Sequence, residues 1–271
     1  MLTNLNKLRF LGFAGGTQLL MVVLFIVVLC TAHLIRVFRM APKVNGFDFF
    51  YELFNLHAVT YTIIPLFLIW LASFFSFSHV RQYTVFRYRS RFRWILAEVT
   101  GVYLMASSFI LVIFFIGLLQ ALFSMGFEGG WSEGFRSNFS FAAAFLDKNS
   151  PYLFTIASMI LVFLLLFSYG MMYLFIWILT KNAILPAVLL FVVDIFNLIV
   201  SLGKVEPFTD FLFTKHFDIM QGIQSSGAIA VSIPYYMFTY WLVLILALLI
   251  LSGWAAKKTD LQFIKEGSRD D

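Results

Sequence analysis

Charged residues are scarce in this chain. Asp, Glu, Lys and Arg together make up 12% of the 271 residues, about half of the roughly 25% that is usual in soluble globular domains. Apolar residues make up 61%, and phenylalanine alone occurs 35 times. This composition excludes an ordinary soluble domain and predicts an integral membrane protein. The excess of 19 Lys and Arg over 14 Asp and Glu lies at the ends of apolar runs, so we attribute it to membrane topology and not to nucleic-acid binding.

Cysteine is almost absent, and recognisable catalytic motifs are missing. The single cysteine, Cys30, excludes an intramolecular disulfide. The chain has no phosphate-binding loop, no HExxH or CxxC pattern and no GxSxG elbow. A metal site needs several converging ligands, whereas the four histidines are isolated from one another: His33, His57, His79 and His216. We therefore expect no metal site and no cofactor bound by this chain. No catalytic site can be assembled from these residues, although an intramembrane enzyme stays open as an alternative.

Long apolar runs predict an all-α membrane protein with six transmembrane helices. A hydrocarbon core of about 30 Å needs about 20 helical residues. Six runs are long enough, at residues 14–35, 58–77, 95–123, 152–179, 184–202 and 228–254. The first run is too long for the apolar part of a cleaved signal peptide, so we expect it to remain as an anchor. The whole chain, residues 1–271, is predicted to form a single transmembrane domain with no soluble domain.

An arginine-rich segment orients these spans. Residues 79–94, HVRQYTVFRYRSRFRW, contain five arginines and no acid. Placing an arginine at the centre of a membrane helix costs roughly 2.5–3.5 kcal/mol, so short loops of this kind stay in the cytoplasm. With this loop inside, twelve Lys and Arg residues lie on the inner side and seven on the outer side. We therefore predict cytoplasmic N and C termini, although Arg36, Arg39 and Lys43 count against this orientation.

The segments outside the spans differ in character. Residues 1–16 have leucines at three-residue spacing around Lys7 and Arg9, which predicts an amphipathic helix on the inner membrane surface. Residues 36–57 and 124–151 are predicted to be long outer connections. Little more than residues 180–182 joins the fourth and fifth spans, which predicts a tight hairpin. Residues 203–227 carry phenylalanines among acids and amides, which predicts short interfacial or re-entrant helices before the last span.

Two acids lie in or beside the spans. Asp194 and Asn197 are three residues apart in the fifth span and share a helix face. A carboxylate at membrane depth is costly and usually faces the bundle interior or a watery cavity. The pair either lines a translocation path or a subunit interface, or it makes a structural hydrogen bond to a neighbouring helix. Glu98 is expected to stabilise the start of the third span and to pair with Arg91 or Arg93.

The arginine-rich segment is also rich in aromatic residues. From residue 86 to residue 94, arginines alternate with mostly aromatic residues, a spacing that scatters the charges around an ideal helix. The pattern favours a short helix at about residues 79–86, followed by a more extended approach to the third span. Binding of lipid phosphates accounts for the arginines but not for the aromatic residues. The pattern therefore favours a surface on which another protein docks.

The chain resembles the permease subunits of ABC transporters, in the type-2 exporter family. The similarity lies in the layout: an amphipathic N-terminal helix, six spans, a tight fourth-to-fifth connection and a long outer segment before the last span. The most motif-like piece is RYRSRFRW at residues 87–94. The resemblance implies re-entrant helices in residues 204–225. It also implies a coupling helix between the second and third spans, which would dock an ATPase through His79, Arg81, Tyr83, Arg87, Arg89, Arg91 and Arg93.

The same resemblance implies a set of partners. The chain would work with a separate cytosolic ABC ATPase subunit that binds ATP and Mg²⁺, and with a second permease copy, as a homodimer in preference to a heterodimer. Membrane lipids would surround it, and nucleic acid would have no role. The expected function is outward, ATP-driven transport of an amphipathic or hydrophobic substrate, with a peptide or toxin favoured, across a bacterial cell membrane. The rival expectations are an intramembrane lipid-modifying enzyme or protease, and an accessory anchor or sensor subunit.

Overall fold

The fold is given by a computed structural model, which describes residues 16–40, 44–76, 90–127, 129–203, 213–226 and 233–258. In these residues every regular element is a helix and no strand occurs, so the predicted all-α fold is confirmed. In chain order the helices are α1 (Gly16–Met40), α2 (Gly46–Phe54), α3 (Leu56–Ser76, with a π-helical turn at Val59–Ile63), α4 (Arg91–Ser124), α5 (Glu133–Asn138), α6 (Ala143–Lys148), α7 (Pro151–Thr180), α8 (Ile184–Gly203), α9 (Ile219–Ser226) and α10 (Tyr235–Lys258). Two 3₁₀ turns cover Ser140–Ala142 and Phe213–His216.

Six of these helices are long and apolar enough to cross a membrane, namely α1, α3, α4, α7, α8 and α10. The protein is therefore a multi-pass membrane protein, as the sequence predicted. Two of the helix starts differ from the predicted ones. α4 begins at Arg91 and not at residue 95, because the Ser90 hydroxyl caps it by accepting the N–H of Arg93 at 3.3 Å. α10 begins at Tyr235 and not at residue 228, directly after Pro234.

The segment between the first two spans is mostly helical and not the long connection that the sequence predicted for residues 36–57. α1 continues to Met40, and α2 follows it. The Asn45 side-chain oxygen caps α2 by accepting the N–H groups of Phe47 (3.0 Å) and Asp48 (3.2 Å). The Asp48 carboxylate accepts the Asn45 N–H in return at 2.9 Å, which completes a capping box. Nearly all of α2 is buried, so it belongs to the core although it is too short to span a membrane.

α7 lies at the centre of the bundle and packs against α2, α4, α8 and α10. Ser150 caps its start, and Pro151 occupies the first turn, where its missing N–H has no cost. The helix ends at Thr180, where Lys181 adopts a left-handed conformation with a φ of 59°. α8 begins at Ile184. The chain thus reverses within three residues, and α7 and α8 form the tight hairpin that the sequence predicted.

The bundle has two chemically different ends. The last turns of α3, α7 and α10 and the first turn of α4 form what we call the basic end, where the rings of Phe75 and Trp94 both contact Trp177. In the described part of the chain, the exposed charges at this end are all positive: Arg91, Arg93, Lys181, Lys257 and Lys258. The opposite end, which we call the mixed end, contains the last turns of α1 together with α2, α5, α6 and α9. Cations and acids lie together there, because α1 ends with arginines, α2 carries two acids, and α5 and α6 each carry one cation and one acid.

Candidate functional site

The residues predicted to dock an ATPase are described only in part. His79, Arg81, Tyr83, Arg87 and Arg89 lie outside the described residues, as do Lys7 and Arg9 of the predicted amphipathic helix. Arg91 and Arg93 are described, and both are exposed in the first turn of α4 at the basic end. The docking surface as a whole therefore stays a prediction, and the position of its last two arginines is known.

Arg91 makes a contact that the sequence did not predict. Its guanidinium Nη1 donates to the backbone carbonyls of Ala256, at 3.4 Å, and of Lys257, both in the last turn of α10. The last carbonyls of a helix have no intrahelical partner and carry partial negative charge, so a cation stabilises this position. This contact joins the first turn of α4 to the last turn of α10 at the basic end.

Glu98 does not lie at the start of the third span, where the sequence placed it, and its pairing with Arg91 or Arg93 stays a prediction. α4 begins at Arg91, so Glu98 lies about two turns inside the helix, and the first turn contains no acid. The helix dipole acts mainly within the first turn. The prediction that Glu98 stabilises the helix start is therefore wrong, and the capping residue is Ser90. The Glu98 side chain is instead buried inside the bundle.

Asp194 lies on the buried side of α8, with only 3% of its surface exposed. The Tyr169 hydroxyl of α7 donates to Asp194 Oδ1 at 3.1 Å. Asp194 Oδ2 is buried and has no hydrogen-bond partner among the described residues. Of the two alternatives derived from the sequence, the hydrogen bond to a neighbouring helix is thus present. A role in lining a translocation path or a subunit interface stays a prediction.

Asn197 connects α8 to the short helical turn before the last span. Its Oδ1 accepts the N–H of Phe213 at 3.2 Å. In the same turn, the His216 carbonyl accepts a hydrogen bond from Trp241 Nε1 of α10 at 2.8 Å, and the His216 ring stacks on Tyr240 with centroids 3.8 Å apart. α8, this turn and α10 therefore form one connected unit, and the Asp194 hydrogen bond adds α7 to it.

A second buried polar network lies at the mixed end, and the sequence did not predict it. Arg36 Nε at the end of α1 lies 3.6 Å from Glu52 Oε2 of α2. Asn55 Nδ2 donates to Glu52 at 3.0 Å, while Asn55 Oδ1 caps α3 by accepting the N–H of Ala58 at 2.9 Å. Glu52 is therefore a buried, paired carboxylate and not a solvated loop charge. The available sequence signals were the capping residues Asn45 and Asn55, since Asn is favoured at helix starts.

Asp218 caps two helices with one carboxylate. Its Oδ1 accepts the N–H groups of Met220 (3.0 Å) and Gln221 (3.2 Å) at the start of α9. Its Oδ2 accepts the N–H of Leu56 (3.0 Å) at the start of α3. Burial raises the pKa of the Asp218 carboxyl above its ordinary value, although the three N–H donors act to lower it. These contacts fasten α9 to the start of the second span.

The contribution of these buried carboxyls to the free energy of unfolding is expected to fall as the pH rises. Burial raises the pKa of Glu52 above its ordinary value, and Arg36 and Asn55 offset only part of that effect. A carboxyl with a raised folded-state pKa keeps its proton in the folded protein after the unfolded chain has lost it. Its contribution to stability is therefore fully present below about pH 4 and is lost as the pH rises through the folded-state pKa.

Reversible unfolding in mixed micelles, compared at about pH 5 and about pH 8, measures this loss. Glu52→Gln cannot ionise at this position, so its free energy of unfolding should vary less with pH than that of the wild type. Glu133→Gln removes an exposed carboxyl of α5 and serves as the matched control, which should keep the wild-type dependence. Equal pH dependence in Glu52→Gln and the wild type would contradict this assignment.

The described histidines lie in separate elements: His33 in α1, His57 in α3 and His216 in the 3₁₀ turn before α9. Within the ranges that the structure describes, no three His, Cys, Asp or Glu side chains come close enough together to hold a metal ion. The polar contacts described above are hydrogen bonds and charge pairs that join neighbouring helices.

Comparison with known proteins identifies a relative of this chain. No protein-family model matches the chain, and no solved structure matches it. The chain is similar to the uncharacterized protein BH0177 of Halalkalibacterium halodurans. The two sequences are 34% identical over 210 residues, which cover 78% of this chain and 77% of the relative. The chain therefore belongs to the same protein family as BH0177.

Proposed function

We propose that this chain is the membrane-spanning permease subunit of a type-2 ABC exporter in a bacterial cell membrane. It moves an amphipathic or hydrophobic substrate, with a peptide favoured, outward by alternating access. A separate cytosolic ATPase subunit binds ATP and Mg²⁺ and docks on residues 79–93. A second copy of the permease completes the transporter. This chain itself binds no cofactor and catalyses no reaction.

The observation that carries this proposal is the charge of the basic end. Five exposed cations and no exposed acid lie there in the described part of the chain. Positive residues concentrate on the cytoplasmic side of membrane proteins, so the basic end is assigned to the cytoplasm. The described chain breaks off after Ser76 of α3 and resumes at Ser90, just before α4, at this same end. The proposal therefore assigns the arginine-rich segment that joins these two residues to the cytoplasmic side.

Direct contacts between helices offer a route by which a docked ATPase could do work. The arginine-rich segment leads into α4, whose first turn is hydrogen-bonded through Arg91 to the end of α10. α4 and α10 both pack against α7. The hydrogen bond between Tyr169 and Asp194 continues the connection to α8. Force applied at the segment thus reaches four of the six spans through packed or hydrogen-bonded elements.

The mixed end has the features of a closed outer gate. The Trp131 ring stacks on Phe135 with centroids 4.6 Å apart, and Phe135 contacts Tyr51 of α2 at 5.2 Å. Asn45 Nδ2 donates to the Gly130 carbonyl at 2.8 Å, which fixes the connection between α4 and α5 over α2. α9 also contacts the turn at residues 140–142. Alternating access requires one end to close while the other opens, and this packing supports closure of the outer end.

Charge reversal in the docking segment tests this proposal. The chain is co-expressed with a candidate ABC ATPase from the same organism, and the complex is reconstituted in liposomes. Arg87→Glu combined with Arg89→Glu places acids on a surface that is expected to meet an acidic cleft of the ATPase. We expect binding of the ATPase, and stimulation of its ATP hydrolysis by the permease, to fall by about tenfold or more. Membrane insertion should be unchanged.

The matched control reverses two exposed cations at the mixed end, Arg39→Glu with Lys148→Glu. This variant should bind and stimulate the ATPase like the wild type. Wild-type binding and stimulation in the Arg87 and Arg89 variant would contradict the docking role. An ATP-independent chemical activity that Asp194→Ala abolishes would instead identify an intramembrane enzyme.

A further inference from the structure

We propose that the seam between the first turn of α4 and the last turn of α10 binds the headgroup of an anionic phospholipid. This seam, which we call the α4/α10 seam, consists of Arg91, Trp254, Lys257 and Lys258. It lies at the basic end and shares Arg91 with the predicted docking segment. The proposal does not depend on the exporter function, because any membrane protein with this arrangement would recruit the same lipid.

Three cations converge at the α4/α10 seam because one hydrogen bond holds two helix ends together. Arg91 Nη1 donates to the Lys257 carbonyl, so the guanidinium lies beside the turn that carries the Lys257 and Lys258 side chains. That contact is made through Nη1 alone. A guanidinium carries five N–H donors in a fork that matches a phosphate, so its other nitrogens can donate to a phosphate group. All three side chains are exposed, and no exposed acid accompanies them within the described residues of the basic end. Such a cluster attracts an anionic group.

The apolar part of the seam distinguishes a phospholipid from a soluble anion. Lys258 Nζ lies 4.1 Å from the centroid of the Trp254 ring, and Trp254 is 52% exposed. Ile250, one turn earlier, is 71% exposed. Ile250, Trp254 and Lys258 follow one another at four-residue spacing, so they form a single stripe along α10. The stripe passes from a cation through an interfacial tryptophan to an aliphatic side chain, which is the order of headgroup, glycerol region and acyl chain in a phospholipid.

The net charge of the seam also selects among phospholipids. A choline or ethanolamine headgroup would bring an additional cation next to Arg91, Lys257 and Lys258. Phosphatidylglycerol brings only the negative charge of its phosphate. The seam should therefore prefer phosphatidylglycerol to phosphatidylcholine, and because exposed charges are screened by salt, this preference should weaken as the ionic strength rises.

Quenching by brominated lipids tests this preference at the seam itself. Bromine atoms on an acyl chain quench tryptophan fluorescence on contact. The full chain is reconstituted in phosphatidylcholine vesicles that contain a small fraction of brominated phosphatidylglycerol or brominated phosphatidylcholine. Subtracting the signal of Trp254→Phe isolates the quenching of Trp254. We expect several-fold stronger quenching of Trp254 by brominated phosphatidylglycerol at equal mole fraction, and loss of this preference in about 1 M salt.

Lys257→Gln combined with Lys258→Gln should remove the preference, because two of the three cations are lost. The link between α4 and α10 persists in this variant, since Arg91 bonds to the backbone carbonyl of residue 257 and not to its side chain. The matched control, Arg39→Gln with Lys148→Gln at the mixed end, should keep the preference. Equal quenching by the two lipids in the wild type, or a retained preference in the lysine variant, overturns the proposal. Full competition by glycerophosphoglycerol, a headgroup without acyl chains, overturns it as well, because it would identify a soluble-anion site.

Discussion

Replacing Gly170 with alanine is expected to destabilise the centre of the bundle. A Cβ on Gly170 of α7 would overlap Val102 Cγ1 on α4, well inside van der Waals contact. Val102 is fully buried, and a β-branched side chain has one strongly preferred rotamer in a helix. α4 and α7 must therefore move apart, and overpacking of this kind costs about 1–3 kcal/mol. The free energy of unfolding in mixed micelles measures this cost.

A rescue variant separates this clash from other effects of the substitution. Val102→Ala removes Cγ1, so Gly170→Ala with Val102→Ala should be more stable than the two single changes predict by about 1 kcal/mol. Gly253→Ala is the matched control, because a Cβ on Gly253 meets no atom within 4 Å. It should be neutral or should stabilise α10, since alanine favours the helix. Strictly additive effects of the Gly170 and Val102 changes would contradict the close approach of α4 and α7.

Replacing Asp218 with alanine is expected to lower the free energy of unfolding by about 3 kcal/mol, because it uncaps two helices at once. The change removes the acceptor of the Leu56 N–H at the start of α3. It also removes the acceptor of the Met220 and Gln221 N–H groups at the start of α9. Loss of one cap costs about 1 kcal/mol, and buried N–H groups without an acceptor add to the cost. Reversible unfolding in mixed micelles measures the difference.

Two further variants define what the Asp218 carboxylate does. Ser150→Ala removes a single, exposed cap, the hydroxyl that accepts the Leu153 N–H at 3.3 Å, and should cost about 1 kcal/mol. Asp218→Asn keeps one acceptor oxygen but turns an N–H₂ group toward one of the helix starts, so its effect should lie between the two alanine variants. If Asp218→Ala costs no more than Ser150→Ala, the double cap does not hold α3 and α9 together.

The spans could be predicted from the sequence because each one is a long apolar run that needs no partner to be recognised. α2 could not, since its nine residues are too few to cross a membrane, and its burial results from packing against α1 and α7. The start of α4 was also missed. The apolar run ends at the arginines, whereas the helix extends back to its capping residue, Ser90. The arginines can belong to the helix because arginine is a good helix former.

The candidate sites were predicted as isolated residues and without their partners. The shared face of Asp194 and Asn197 follows from helical spacing alone. Their partners, Tyr169 and Phe213, lie in other elements, so only the packed structure brings them together. Arg91 was assigned to the docking surface, and its contact with α10 was not predicted. The unpaired carbonyls of a helix end leave no trace in a side-chain pattern.

Asp218 shows the same limit of sequence reasoning most clearly. The sequence suggested an outer acid in a long segment. Its hydrogen bond to the Leu56 N–H joins residues 162 positions apart. Its three backbone partners carry no side-chain signal at all, since any residue other than proline supplies an N–H. The position of such a cap becomes visible only when α3 and α9 are packed against each other.

Photo-crosslinking from position 83 in living cells tests the central claim most directly. Tyr83→p-benzoylphenylalanine places a photoreactive group inside the predicted docking segment, and mass spectrometry identifies the crosslinked chain. Tyr152→p-benzoylphenylalanine, at an exposed position at the start of α7, reports the mixed end as a control. A permease powered through this segment predicts peptides of an ABC ATPase crosslinked from position 83 and none from position 152. Crosslinks from position 83 to lipid alone, with no ATPase peptide, would contradict the account.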